Sequence, residues 1–276
     1  MILYKDEENG KHLLRKSFCA YLDILGFSDK IIKNDIPFFN NYIFTLNSEL
    51  KYLEKKHDLS NKKGYKSFDL KIFTDNFVFG QPWFDQYGES ELGTLFQVLS
   101  HLQLTFAKSD IFIRGAISMS ELYMDNNMVI GPALIESYKL ESEKAIYPRI
   151  IMSKDVIEVI NKHINYYSDK KSSPQNKTFL VDIDGHHFIN YLFILFFDYN
   201  YTKKQVIKEL IQHKNAIENN LKRHEHDFKL FDKFSWTAKY HNHFCENHFK
   251  AEYPNDDVTK IIIEENLFIK KIINII

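Results

Sequence analysis

Apolar and polar positions sort the chain into short alternating blocks. The first is Ser17-Phe-Cys-Ala-Tyr-Leu-Asp-Ile-Leu25, an apolar run of strand length broken by one carboxylate, Asp23, and ended by Gly26-Phe27. Pro37 then opens a helix predicted to reach about residue 56, with Phe38, Tyr42, Leu46 and Leu50 at four-residue spacing. Residues 68–73 and 77–79 read as two strands, and Thr74-Asp75-Asn76 between them has the chemistry of a hairpin turn. A helix follows over 92–108, carrying Leu95, Leu99, Leu102 and Phe106 in register. Strands are expected at 111–117, at 128–130 after the Asp125-Asn126-Asn127 turn, and at 148–152, with a helix from about Pro132 toward Ala145. A short helix at 155–163 precedes the most loop-like stretch, residues 169–176. Beyond it come a strand at 179–183 and two helices, one marked by Val206, Leu210, Ala216, Ile217 and Leu221, the other spanning 228–249.

The first 165 residues thus read β-α-β-β-α-β-β-α-β-α. That order predicts an α+β fold with helices on one face of a mostly antiparallel sheet, and not a doubly wound nucleotide-binding fold. Two regions are expected, 15–165 and a mainly helical extension at 178–276 packed on it. No GxGxxG and no Walker A sequence is present. The 276 residues are 44% hydrophobic and 26% charged, an ordinary globular balance that excludes disordered, collagen-like and coiled-coil chains. Thirty-six Lys+Arg against 37 Asp+Glu argue against a protein that coats nucleic acid by bulk charge. Cys19 and Cys245 form neither a disulfide framework nor a CxxC site, and the acidic N-terminus lacks a signal peptide's cationic start. Together with the absence of any apolar run long enough to span a bilayer, this predicts a cytoplasmic protein without membrane contact.

Two carboxylates carry the candidate chemistry. Asp23 interrupts a strand that looks buried, and a lone Asp there costs several kcal/mol unless it is paired, hydrogen-bonded or metal-bound. Asp75 sits at a hairpin tip flanked by strand aromatics. On adjacent strands the two could converge on Mg²⁺, which takes hard oxygen ligands. The plainer reading makes Asp75 a turn residue and Asp23 a carboxylate capped by backbone N–H groups.

The wording around these residues adds to that. Tyr21-Leu-Asp-Ile-Leu-Gly-Phe27 resembles the first metal motif of class III nucleotidyl cyclases, and Lys71-Ile-Phe-Thr-Asp75 their K-x-x-G-D motif, with Thr74 in the glycine position. Arg114-Gly-Ala-Ile-Ser-Met-Ser120 is similar to their R-x-G-I-x-x-G strand, and Gly131-Pro-Ala-Leu-Ile-Glu-Ser-Tyr-Lys-Leu-Glu141 to their following helix. The resemblance spans about residues 15–165 and is nearest to divergent bacterial cyclases, such as the pyrimidine cyclases of the Pycsar anti-phage systems. It implies a ferredoxin-like, palm-like sheet and conversion of a nucleoside triphosphate to a 3′,5′-cyclic nucleotide and pyrophosphate. It implies that Asp23, Asp75 and the Ile24 carbonyl bind two Mg²⁺ or Mn²⁺ ions. The N–H groups of Leu25, Gly26 and Phe27 would face the phosphates, Lys71 and Met128 the base. It also implies a homodimer with shared active sites, and a separate effector that reads the cyclic product.

The departures are informative. The family's transition-state Asn falls on Ile135, and its transition-state Arg on Lys139, which keeps the charge but loses the planar fork. Arg114 and Arg149 are the available substitutes. Met128 stands where adenylyl cyclases select the purine with Asp, which favours UTP or CTP over ATP. Missing transition-state donors cost orders of magnitude in rate, so a catalytically degenerate nucleotide-binding or regulatory module is the alternative. A palm-like polymerase ranks last, for want of a basic template surface. His224, His226, His241, His243, Cys245 and His248 lack a structural-zinc spacing and are expected as solvated or core-edge histidines. Asp182-Ile-Asp-Gly185 is expected as a strand-end turn.

Overall fold

The computed structural model describes residues 3–6, 8–61, 67–84, 87–197 and 201–269, with side chains left aside at 56–61. Strand β1 (Arg15–Ile24) is central. Its period of two divides the interior: Phe18, Ala20, Leu22 and Ile24 face one core, Cys19 and Tyr21 a second. Helices α1 (Phe27–Ile32) and α2 (Ile36–Asn61) lead to the hairpin β2 (Asp69–Phe73) and β3 (Asn76–Pro82), closed by the two-residue loop Thr74-Asp75. Helix α3 (Glu89–Lys108) fills the first core with Leu92, Leu95, Leu99, Leu102 and Phe106. Strand β4 (Ile113–Met124) then pairs along the whole of β1, from Arg15↔Leu122 to Ile24↔Ile113.

These elements form a β-α-β-β-α-β unit with spatial order β4-β1-β3-β2, antiparallel throughout. β5 (Val129–Ile130) pairs with the end of β4, and β6 (Ile150–Met152) adds to β4 in parallel. The sheet does not stop at residue 165. After α5 (Lys154–Asn165) and the short α6 (Gln175–Thr178), β7 (Phe179–Val181) and β8 (His187–Ile189) extend it beyond β6. The fold is α+β, with a mixed, mostly antiparallel eight-stranded sheet.

The helices do not all lie on one face. Helix α4 (Pro132–Lys144) crosses the Cys19 side, because Ala133, Ser137 and Glu141, four residues apart, present a narrow stripe to the sheet. Ser137 approaches Cys19 Sγ at 3.6 Å, and Ser118 Oγ donates to the Ala133 carbonyl at 2.6 Å. Gly131 permits this contact. Its φ is 151°, and a Cβ there would lie 2.3 Å from the Glu121 carbonyl oxygen. The loop-like stretch at 169–176 is tighter than expected, with a 3₁₀ turn and Ser173 and Gln175 buried.

The C-terminal helices α8 (Lys203–Arg223) and α9 (Phe228–Phe244) follow the short α7 (Ile194–Phe197). Val206 and Leu210 of α8 and Phe244 of α9 join the α3 core. Ala216, Ile217, Leu221, Phe231 and Phe234 enclose Ala107 and Phe112 in another cluster. The expected helix over 228–249 ends as a π turn, Cys245–Phe249. No helix among the described residues is long and apolar enough to cross a membrane.

Candidate active site

Register alone brings together residues more than ninety positions apart. Asn76 on β3, Asp23 on β1 and Arg114 on β4 stand in one cross-strand row on the α4 side of the sheet. Arg114 Nε donates to Asp23 Oδ2 at 3.0 Å and lies 2.9 Å from Glu141 Oε1 of α4, while its Nη1 donates to the Ala145 carbonyl at 3.4 Å. Asp75 reaches the same spot from the hairpin tip, and its charge acts on both Asp23 and Glu141. Two carboxylates thus share one guanidinium, and a third acts on both of them.

Their titration follows. Burial raises the Asp23 carboxyl above the ordinary carboxylate range. The Arg114 hydrogen bond and charge oppose that rise, and Asp75 adds to it. Glu141, almost fully buried, is pushed up to about 7, chiefly by burial; Arg114 opposes this and the two aspartates reinforce it. Tyr21, in the row behind, is raised to about 12 by burial, and its hydroxyl donates to Asn76 Oδ1 at 2.5 Å.

Thr74 shapes the approach of Asp75. It has φ 55°, a left-handed conformation that is uncommon for a β-branched residue. The turn is fixed by Tyr42, whose hydroxyl donates to the Thr74 carbonyl at 2.9 Å. Thr74 Oγ1 lies 2.7 Å from Asp75 Oδ1, and Asn76 Nδ2 donates to the same oxygen at 3.1 Å. Position 74 is therefore one where glycine would be the unstrained residue.

The chemistry of this donor set suits a hard divalent cation. Asp23 and Asp75 offer adjacent carboxylate oxygens, and the Ile24 carbonyl is next along β1. Among the described residues no group of three or more His, Cys, Asp or Glu side chains is arranged to hold a metal ion. Mg²⁺ does not require one, since one or two carboxylates, water and substrate phosphates complete its shell.

The other sequence candidates divide. Gly26, with φ 73°, starts α1, so the N–H groups of Gly26 and Phe27 lie at a helix N-terminus. The Leu25 N–H does not join them; it donates to the Phe112 carbonyl at 2.8 Å, an extension of the β1–β4 ladder. Lys71 Nζ donates to the Asn126 carbonyl, which sets it beside the loop that carries Met128. Met128 is about half exposed, with its N–H bonded to Asp125 Oδ1 at 3.0 Å. Lys139 is separate. It lies about 200° round α4 from Glu141, exposed on a groove of about 640 Å³ with Leu14, Ile130 and Ile135.

Arg149 is not available as a phosphate contact. It is wholly buried, paired with Asp182 and Asp184 of the β7–β8 turn and packed against Trp236 and Tyr147. The turn itself is as expected, with the Gly185 N–H donating to the Asp182 carbonyl at 2.9 Å. His241 is not at the core edge but fully buried, against His213. His226 and His243 are exposed.

Two residues of the site were not singled out from the sequence. Glu141 continues the Ala133–Ser137 stripe, so its spacing already placed a carboxylate on the packing face of α4. Lys233 of α9 is half-buried, within electrostatic reach of Asp23, Glu141 and Arg114. Its only signal is a lysine inside the apolar stripe of Phe231, Phe234 and Ala238. No protein-family model and no curated protein matches this chain.

Proposed function

We propose that this protein is a nucleotidyl cyclase that converts a nucleoside triphosphate, UTP or CTP in preference to ATP, to its 3′,5′-cyclic monophosphate and pyrophosphate. The observation that carries the reading is the meeting of Asp23 and Asp75 at the ends of adjacent strands, within a β4-β1-β3-β2 core. That strand order is the one expected of a class III cyclase-like, ferredoxin-like domain, and the four sequence motifs fall on its elements in order. Asp23, Asp75 and the Ile24 carbonyl would hold two Mg²⁺ or Mn²⁺ ions. When bound, such ions acidify the ribose 3′-hydroxyl and offset charge on the leaving pyrophosphate.

The chain's own residues supply the rest. The N–H groups of Gly26 and Phe27 receive phosphate oxygens at the start of α1. Lys71 and Met128 border the base, and Met128 offers an adenine amino group no good acceptor. The 3′-oxygen bonds to the α-phosphorus as the bond to the β-phosphate oxygen breaks. Glu141 is suited to take the released proton, since its carboxyl is pushed up to about 7 and a base works best near the operating pH. Arg114 holds Asp23 through its Nε hydrogen bond and faces Glu141 as an ion pair.

A second copy of the chain is the expected partner, because Leu14, Ile130, Ile135 and Tyr138 leave the α4 side apolar and more than half exposed. Lys139, remote from Asp23 of its own chain, would then serve the partner's site. The cyclic product calls for a separate effector, and the anti-phage role is part of this proposal. Ile135 favours one second reading, a cyclase-fold module that binds nucleotide without turnover.

One assay separates the two. Each of the four ribonucleoside triphosphates is incubated with the protein and Mn²⁺ or Mg²⁺, and products are resolved by mass spectrometry. A cyclic mononucleotide from UTP or CTP is expected, lost in Asp75→Ala with the melting temperature kept. Calorimetric binding without product supports the module, and turnover that survives Asp75→Ala refutes the metal assignment.

A further inference from the structure

The cyclase-like motifs end near residue 165, yet the site does not. Helix α9 packs its Phe234 ring against Phe112 at 5.1 Å, and Phe112 is two residues from Arg114 and bonded to the Leu25 N–H. A polar cavity of about 350 Å³ lies at this junction. It is bordered by Gly26, Asp29 and Lys30 at the start of α1 with Asp35 and Asp110 on one side, and by Asp227, Leu230 and Phe234 at the start of α9 on the other. On the helical wheel Lys233 falls between that face and the one bearing Trp236 and Tyr240, and so projects from the packing side of α9.

We infer that Lys233, supplied by the C-terminal helix α9, contacts the triphosphate at the Asp23–Asp75 site. The inference rests on the cyclase reading above. The residue is half-buried, and its ammonium makes no hydrogen bond or ion pair with a described residue. An ammonium drawn from water without a partner is costly, and a bound phosphate would supply that partner. The charged groups around it are Arg114, Asp23, Asp227 and Glu141. Burial and Arg114 lower its pKa, while the three carboxylates oppose this. With divalent ions on the aspartates, the balance of charge turns toward binding an anion. Lys139, by contrast, points away from this site in its own chain. The C-terminal helices are then part of the active site, not only a scaffold behind it.

The test uses the full chain with Lys233→Gln and Lys233→Arg. Four quantities are measured: calorimetric binding of Mn²⁺ alone, binding of inorganic tripolyphosphate with Mn²⁺, kcat and KM for the nucleotide that is turned over, and the melting temperature. The expectation for Lys233→Gln is a loss of about tenfold or more in tripolyphosphate affinity and in kcat/KM. Lys233→Arg should restore most of both. Mn²⁺ alone should bind equally or more tightly once the neighbouring positive charge is gone, with the melting temperature unchanged. A purely structural lysine would instead lower the melting temperature in both variants and leave the affinity of the folded protein intact, which overturns the inference. So does wild-type tripolyphosphate affinity in Lys233→Gln. If the wild-type chain yields no cyclic product, the cyclase reading fails by itself. The tripolyphosphate arm then still decides whether Lys233 belongs to an anion site, and no binding by wild type removes both.

Discussion

Glu141 shows how one side chain sets the chemistry of its surroundings. Its carboxyl is buried under α4, and Arg114 does not fully offset the burial because Asp23 shares the same guanidinium. A carboxyl whose folded pKa of about 7 exceeds its unfolded value near 4.3 favours the folded state most at low pH. That advantage is lost as pH rises through 7. Glu141→Gln removes the ionisation while keeping the shape. The variant should therefore gain on wild type by up to about 4 kcal/mol between pH 4.3 and 7, with a constant gap above. Urea unfolding at pH 5 and pH 8 measures this. A difference that does not grow with pH would mean that Arg114 neutralises Glu141 completely. Under the cyclase reading the same variant is slow, so the residue that costs stability at neutral pH is the one that chemistry needs there.

Among elements, the C-terminal helices are tied to the rest by a hydrogen-bond chain that determines its own tautomers. His241 Nε2 lies 2.7 Å from the Ile261 carbonyl, which can only accept, so His241 donates there and accepts at Nδ1. His213 Nδ1, 2.8 Å away, therefore donates, and its Nε2 accepts from the Tyr191 hydroxyl at 2.7 Å. Both imidazoles are neutral, because burial holds His213 well below its ordinary pKa and His241 at about 4. Below pH 6.5 the unfolded chain takes up protons that the folded one refuses. Stability is thus complete above 6.5 and falls by up to about 1.4 kcal/mol per pH unit for each histidine as pH drops toward 4. Long-range ¹H–¹⁵N spectra at pH 6 should show the Nδ1–H tautomer for His213 and the Nε2–H tautomer for His241. An imidazolium signal from either would break the chain. Tyr191→Phe should cost about 1–3 kcal/mol by leaving His213 Nε2 unpaired.

The elements also show what sequence can carry. β1 with its lone Asp23, the Thr74-Asp75 hairpin and the amphipathic α3 follow from local periodicity and turn chemistry, which act over a few residues. Helix α1 is too short, and β8 too brief between turns, for a period to register. The placement of α4 on the opposite face depends on Gly131 and a three-residue stripe too weak to read as amphipathic. Arg114 opposite Asp23 is a matter of strand register across 91 positions. The burial of Arg149 depends on a hairpin that joins the sheet only in the folded chain. The pair Asp23 and Asp75 was legible because a carboxylate in an apolar strand is costly enough to stand out. Glu141 and Lys233 were not, since each is an ordinary residue in an ordinary helix until packing brings it to the site.

For the whole molecule, the boundary suggested by the motifs is not a boundary of the core. Phe96 of α3 packs its ring against Phe179 at 5.9 Å and Phe197 at 5.5 Å, both beyond residue 165. The same core takes in Ile189, Leu195, Val206, Leu210 and Phe249, and Phe112 at the start of β4 is covered by α9. Lys108 and Glu209 form an ion pair between α3 and α8. A chain cut after residue 165 would expose the outer side of α3 and the free edge of β6, which now pairs with β8. Each large side chain uncovered forfeits about 1.5–3 kcal/mol, and several together exceed the 5–15 kcal/mol by which a domain is stable. Residues 15–165 alone should therefore lose cooperative thermal unfolding and near-ultraviolet circular dichroism, and bind a hydrophobic dye. A sharp calorimetric transition from that piece would show the motif-bearing region to be an independent domain. Its absence ties the integrity of the Asp23–Asp75 site to the C-terminal helices, so that a loss of activity on truncation says nothing about Lys233, and only the point variants can.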